Sequence, residues 1–131
     1  YGDGVADINI RNLIDFHYSH KKKATLTAVY PPARFGALEI QKNMIKTFKE
    51  KPKGDGNLVN GGFFVLEPSV LELIDNDNIM WENEPCHNLS VSDELVAYKH
   101  KGFWRPMDTI RDKKVLQDLW DSKKAPWKIW E

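Results

Sequence analysis

Asp3, Glu50, Lys51 and Asp108 are the side chains in this 131-residue sequence whose types and settings suit a charged ligand. Asp3 lies in Tyr1-Gly2-Asp3-Gly4. A carboxylate on a glycine-flanked loop beyond the carboxyl ends of sheet strands can hold Mg2+ while the backbone approaches a phosphate. The same tetrapeptide is also an ordinary turn. Asp108 precedes Thr109 at the start of a helical pattern, where it is either an N-cap contributing about 1 kcal/mol or an acceptor for a cation. Two carboxylates on two such loops suit Mg2+, which takes few protein ligands and leaves its other positions to water and phosphate oxygens.

Glu50-Lys51-Pro52 follows the strand-like run Ile45-Lys46-Thr47-Phe48 and ends at a proline that forbids a helix. Adjacent residues at a strand end point to opposite faces. Lys51 can there donate to a sugar phosphate as a compact point charge, and Glu50 can accept from sugar hydroxyls, although a solvated surface pair has the same sequence. Asn60-Gly61-Gly62 interrupts an apolar run; two glycines weaken a strand and signal close approach of a backbone or ligand. The amide of Asn60 then reads a hydroxyl. In Pro31-Pro32-Ala33-Arg34-Phe35-Gly36 a rigid entry, a cation and a glycine can flank a nucleotide or sugar. His17 and His20 have a spacing that fits a metal but lack a third ligand nearby, and read as a surface pair. Cys86-His87 has no readable triad partner for a nucleophile.

The elements that must position these residues follow from periodicity. Ile10, Leu13 and Ile14 fall at helical spacing, with Asp7 or Asn9 as caps, which predicts a helix ending near Lys22. Ala24 to Tyr30 predicts a strand, and a helix between two strands predicts a βα unit feeding a parallel sheet. Ala37 to Gln41 and Ile45 to Lys49 predict a hairpin closed by Lys42-Asn43-Met44. Leu58 to Leu66 is apolar almost throughout, which predicts a strand buried at the centre of the sheet, and Pro68 then opens a short helix. A helix over Met80 to Leu89 interrupted at Pro85, an edge strand over Leu95 to His100, and a last helix with Val115, Leu116, Leu119 and Trp120 on its core face complete the reading.

Composition narrows the class. The chain is one domain's worth of sequence, with 19 basic and 19 acidic residues, which argues against non-specific nucleic-acid binding. The basic run Lys21-Lys22-Lys23 reads as a complement to a helix dipole. A single cysteine fits a reducing compartment, and no apolar run approaches the roughly 20 residues that cross a bilayer, so a cytoplasmic protein without membrane partners is expected. The chain starts at Tyr1 and enters a loop-like segment at once, as the carboxy-terminal portion of a longer protein would.

Six segments occur in a telling order: Tyr-Gly-Asp-Gly-Val-Ala-Asp-Ile (1–8), Thr-Ala-Val-Tyr-Pro-Pro-Ala-Arg-Phe-Gly (27–36), Phe-Lys-Glu-Lys-Pro (48–52), Val-Asn-Gly-Gly-Phe-Phe-Val-Leu-Glu-Pro (59–68), Gly-Phe-Trp-Arg-Pro-Met-Asp-Thr-Ile-Arg-Asp (102–112) and Ala-Pro-Trp-Lys-Ile-Trp (125–130). Together they resemble the sugar-nucleotide pyrophosphorylase family, in its glucose-1-phosphate cytidylyltransferase branch, over the carboxy-terminal half of such enzymes. The resemblance implies an α/β, Rossmann-like nucleotidyltransferase fold. Residues 1–131 would be the sugar-phosphate and metal side of one domain, part of a mixed, mainly parallel sheet flanked by helices, with a small hairpin. It implies CTP and glucose 1-phosphate as substrates, CDP-glucose and pyrophosphate as products, and surface polysaccharide as the destination.

By the same resemblance Asp3 and Asp108 correspond to Mg2+ ligands and Lys51 to the lysine that holds the sugar phosphate. Glu50, Asn60, Gly61 and Gly36 correspond to sugar contacts, Gly2 lies against the nucleotide, and Arg111 is a further phosphate contact. A homo-oligomer is implied, with the tail tryptophans Trp127 and Trp130 as contact surface. The family's glycine-rich nucleotide loop does not occur in this sequence, so the chain alone is expected not to turn over. Arg105 stands where glutamine is expected.

Overall fold

A short strand, β1 (Gly4–Ala6), leads into helix α1 (Ile10–His20) in the computed structural model, which describes residues 1–32, 37–49 and 58–131. Asn9, not Asp7, caps the helix: its side-chain oxygen accepts from the Asn12 amide at 3.0 Å. Lys21 ends it in the left-handed conformation, φ 57°, and the chain turns into β2 (Ala24–Val29), where Ala24, Thr25, Thr27, Ala28 and Val29 are all buried. The hairpin follows as β3 (Ala37–Gln41) and β4 (Met44–Lys49). Its turn is Lys42-Asn43, with φ of 48° and 65°, the doubly left-handed geometry that matches strand twist; Met44 already pairs with Gln41.

The apolar run 58–66 is not one buried strand. It forms two short strands, β5 (Val59–Asn60) and β6 (Val65–Leu66), separated by Gly61–Phe64. Both pair antiparallel with β2, at Ala28↔Asn60 and Thr25↔Val65. Four residues on one side therefore face two on the other, a bulge that throws the segment out of the ladder. The glycines that flagged the segment are its cause, and Val59 and Leu66 end up exposed. The centre of the sheet is β2 instead.

Beyond a 3-10 helix at Pro68–Leu73, helix α2 (Glu84–Val91) carries Pro85 in its first turn, where the missing N–H costs nothing, so the proline starts the helix rather than breaking it. Strand β7 (Leu95–His100) runs parallel to β2 along all six residues. Strand β8 (Trp104–Pro106) returns to pair antiparallel with β1, and helix α3 (Ile110–Asp121) follows. Among the described residues the sheet around β2 is mixed, as expected: β7 pairs with it in parallel over six residues, and the antiparallel strands β5 and β6, paired over two residues each, do not extend that ladder. Helix α1 does not link two strands of one parallel sheet, because β1 belongs to the separate ribbon with β8.

Ala24, Val70 and Leu89 form a buried core, with Leu73, Trp81 and Leu95 packed against it. Helix α3 buries Leu116 but leaves Trp120 47% exposed. Its inward face is completed by Asp112, whose buried carboxylate pairs with Arg105 of β8 at 3.2 Å. Arg105 therefore has a structural partner at the position where glutamine was expected.

His17 and His20 are not a surface pair. His17 is 2% exposed, and the two rings share the buried hydroxyl of Thr25. The amide of Lys22 donates to His20 Nδ1 at 2.9 Å, which leaves His20 Nε2 to donate to Thr25 Oγ1 at 2.6 Å. The threonine hydroxyl then donates to His17 Nδ1 at 2.7 Å, and His17 Nε2 donates to Glu67 at 3.0 Å. Four consecutive bonds in one direction tie α1 to β2 and to the residue after β6.

Burial first, and the neighbouring His17 second, hold His20 below its ordinary value of 6.5. A proton on its Nδ1 would also face the Lys22 N–H. The unfolded chain binds that proton more readily, so the stabilisation is present above about pH 6.5 and is lost as the pH falls below it. Urea unfolding should show stability falling from about pH 7.5 to 5.5. Thr25→Val, which leaves buried ring nitrogens without a partner, should cost about 1–3 kcal/mol near neutrality. A flat pH profile or an unchanged midpoint for Thr25→Val contradicts this account.

Candidate functional site

The β1–β8 register decides where the two candidate carboxylates meet. Gly4 faces Pro106, Val5 faces Arg105 and Ala6 faces Trp104, and one step further the Met107 amide donates to the Asp3 carbonyl at 2.8 Å. Asp3 and Asp108 leave the ribbon at the same end, and both line a cleft of about 640 Å³. Trp104 and Pro106 line it too, as the alternation of an extended strand requires.

Asp108 is not the helix cap. Thr109 takes that role: its hydroxyl oxygen accepts from the Asp112 amide at 3.1 Å, while the Thr109 amide donates to the Asp112 carboxylate at 3.2 Å, a reciprocal capping box. Neither the Asp3 nor the Asp108 carboxylate makes a hydrogen bond or ion pair with a described residue. They are the only charged side chains among the described residues that line the cleft. Two like charges converging without a partner attract a cation, and an all-oxygen donor pair suits a hard one such as Mg2+. No group of three or more His, Cys, Asp or Glu side chains that could hold a metal occurs among the described residues. Water and ligand oxygens would complete the shell.

The opposite wall is the bulge. Asn60 Oδ1 accepts from the Gly62 amide at 2.9 Å and its Nδ2 donates to the Tyr1 hydroxyl at 3.3 Å, which leaves one amide hydrogen for a ligand. Loss of water around the Tyr1 hydroxyl, and its bond to Glu82, push that phenol up to about 12, so it stays protonated. Gly61 is fixed on both sides: its N–H goes to Thr27 O at 2.9 Å and its carbonyl accepts from the Trp104 indole at 2.9 Å. A Cβ on Gly61 would stand 2.6 and 2.9 Å from the methyls of Val29. Close packing therefore suffices to explain this glycine. Gly62 and Phe63 have φ of 77° and 47°, and the Thr27 hydroxyl, donating to Phe63 O at 2.9 Å, holds the strained Phe63 backbone in place.

The structure thus gathers Asp3, Asp108, Asn60 and Gly61 at one cleft. Gly2 borders open space, with nothing within 4 Å of where its Cβ would be. Arg111 is exposed in the first turn of α3 and is not part of the lining. Gly36, Glu50 and Lys51, together with Arg34, lie outside the described residues. Trp104, Phe63 and Tyr1 line the cleft without having been singled out from sequence. Trp104 stands beside Asp108 in the Gly102–Asp112 segment, but nothing in one sequence marks an indole as facing a glycine carbonyl.

Residues 1–109 match the family model described as nucleotidyl transferase. Over 131 residues the chain is 62% identical to the glucose-1-phosphate cytidylyltransferase of Salmonella typhi and 61% identical to that of Salmonella typhimurium, matching all of this chain and 51% of each relative. The chain therefore spans about half the length of the curated relatives it matches. A solved structure from Bacillus anthracis, described as a glucose-1-phosphate thymidylyltransferase in complex with a sucrose, superposes with a TM-score of 0.59 at 18% identity, covering 99% of this chain and 53% of that one. HddC from Yersinia pseudotuberculosis gives 0.59 at 16% identity, over 91% and 52%. Likeness at that identity shows the fold alone: the Rossmann-like nucleotidyltransferase fold, here with mixed helix and sheet and antiparallel strands.

Gly61→Ala should destabilise the protein by about 1–3 kcal/mol, because Val29 is buried and its branched side chain cannot turn away freely. Adding Val29→Ala removes the clashing methyls, so the double variant should lose less than the sum of the singles in denaturant unfolding. Strict additivity would mean that the two residues do not press on each other.

Proposed function

The chain belongs to the nucleotidyl transferase family, and from that premise we propose that the protein carrying it transfers a cytidylyl group from CTP to α-D-glucose 1-phosphate, giving CDP-glucose and pyrophosphate. The names of its 62% and 61% identical relatives support the substrates. The observation that carries the site is the β1–β8 ribbon, which brings two carboxylates without described partners to one cleft, facing the Asn60 amide.

In this reading a phosphate oxygen of the sugar phosphate forms a bond to the α-phosphorus of CTP, and the bond from that phosphorus to the bridging oxygen of the pyrophosphate breaks. Asp3 and Asp108 would hold Mg2+, which when bound neutralises phosphate charge. Asn60 donates its free amide hydrogen to a sugar hydroxyl, with Gly61 keeping that wall against β2. Lys51 neutralises the attacking phosphate so that it can approach a second anion, and Glu50 and Gly36 border the sugar. Open space beside Gly2 lets the nucleotide approach the backbone. Arg111, exposed in the first turn of α3 three residues beyond Asp108, is a further phosphate contact in this reading.

We assign the protein to the cytoplasm, where nucleoside triphosphates are found; among the described residues no helix is long and apolar enough to cross a membrane. A homo-oligomer is supported by the exposed aromatic surface in the last turn of α3 and the tail beyond it: Trp120 and Trp130 are 47% and 55% exposed, whereas Trp127 packs on Phe103 with ring centroids 5.5 Å apart.

Pyrophosphate release by the full-length protein, with CTP, UTP and dTTP each offered alongside glucose 1-phosphate, tests the reading. CTP should give the highest kcat/KM, and Asp108→Ala should abolish Mg2+-dependent turnover. Thr109→Ala, which removes only the cap, should cost about 1 kcal/mol of stability and leave turnover near normal. Equal or faster turnover of dTTP sinks the base assignment, and no turnover with any of the three leaves a binding module.

A further inference from the structure

Two separate sheets meet at the cleft. The carboxylates ride on the β1–β8 ribbon, whereas Asn60 and Gly61 belong to the sheet built on β2. How far Asp108 stands from Asn60 depends on what joins these sheets. On the cleft side the join is the part-buried bond from Trp104 Nε1–H to Gly61 O, 2.9 Å long. Gly61 cannot give way, since its own amide is tied to Thr27 O and its Cα lies against the Val29 methyls. On the ribbon side the indole fills the space over Gly4, where a Cβ would stand 3.6 Å from Nε1. The ladder then carries the constraint from Trp104 through Pro106 towards Asp108, with Gly4↔Pro106 and the Met107–Asp3 bond locking the partner carboxylate to it.

We propose that Trp104 is a positioning residue that sets the spacing between the metal-binding carboxylates and the sugar-binding wall through its indole N–H. This rests on the reading of Asp3 and Asp108 as Mg2+ ligands. Trp104 has no chemical role of its own: it acts by denying the ribbon the freedom to slide against the bulge. Without the N–H the Gly61 carbonyl loses its donor, and the two halves of the site become free to drift apart.

Trp104→Phe in the full-length protein tests this, since phenylalanine keeps an aromatic ring over Gly4 and lacks the donor. The Mg2+ concentration for half-maximal rate and the KM for glucose 1-phosphate should each rise about five- to tenfold, the scale of one lost hydrogen bond, while kcat at saturation changes less than about threefold. Mn2+ binding followed by electron paramagnetic resonance, which needs no turnover, should weaken by a similar factor. If Trp104→Phe fails to fold, β-(3-benzothienyl)alanine at position 104 keeps the bicyclic shape and removes only the N–H, and should reproduce the same shifts. Unchanged Mg2+ and sugar-phosphate dependence with unchanged Mn2+ affinity overturns the role of Trp104 while leaving the metal reading intact, provided Asp108→Ala is inactive. If Asp108→Ala still shows Mg2+-dependent turnover, the metal reading fails, and this proposal with it.

Discussion

The antiparallel ladder between Gly4–Ala6 and Trp104–Pro106 is the constraint on which the cleft depends. It joins segments far apart in the chain, and its register alone decides that Asp3 and Asp108 emerge together. A slip of one residue would turn every side chain on one strand to the opposite face. Trp104 and Pro106 would then leave the cleft, and Asp108 would leave with them. The ladder is short, so it is reinforced from outside: Arg105 pairs with buried Asp112 of α3, and the Asp7 carboxylate meets His100 of β7 at 2.8 Å.

The second organising element is β2, which does different work on its two edges. One edge gives an uninterrupted parallel pairing to β7. The other meets the bulged segment 59–66, and the buried hydroxyls of β2 hold what the broken ladder leaves loose. Thr25 serves the histidine relay and Thr27 anchors the Phe63 carbonyl. Opposite the bulge, Thr27 adds this hydroxyl bond to the backbone bonds it makes with Gly61 and Gly62, in a dry environment where an unpaired polar group is costly. The bulge these bonds support is the wall that presents Asn60.

Several features of the site are economical in the physical sense that one group serves two ends. Asp112 caps α3 through one carboxylate oxygen and binds Arg105 through the other, which frees Asp108 from structural duty. Gly61 is small because Val29 leaves no room, and the same absence of a side chain lets the Trp104 indole reach its carbonyl. A residue type selected by packing therefore also shapes the wall of the cleft.

Local signals in the sequence determined the elements whose causes are local. Asn9 caps α1 because its side chain reaches an amide three residues on, and Lys42-Asn43 forms the tight turn between two short strands. The motif order also identified the family and singled out Asp3, Asp108, Asn60 and Gly61. What the sequence could not fix were relations between distant residues. The apolarity of 58–66 read as one central strand, because the collision of a Gly61 Cβ with Val29 exists only once β2 lies alongside. His17 and His20 read as solvated because their shared partner Thr25 is supplied by the fold around them. Asp108 was open as a helix cap or a cation acceptor on paper, and only the reciprocal bonds between Thr109 and Asp112 removed it from the cap. Helix caps and turns are decided within a few residues of chain, whereas strand register, burial and the meeting of two carboxylates are decided by packing, which only the tertiary structure expresses.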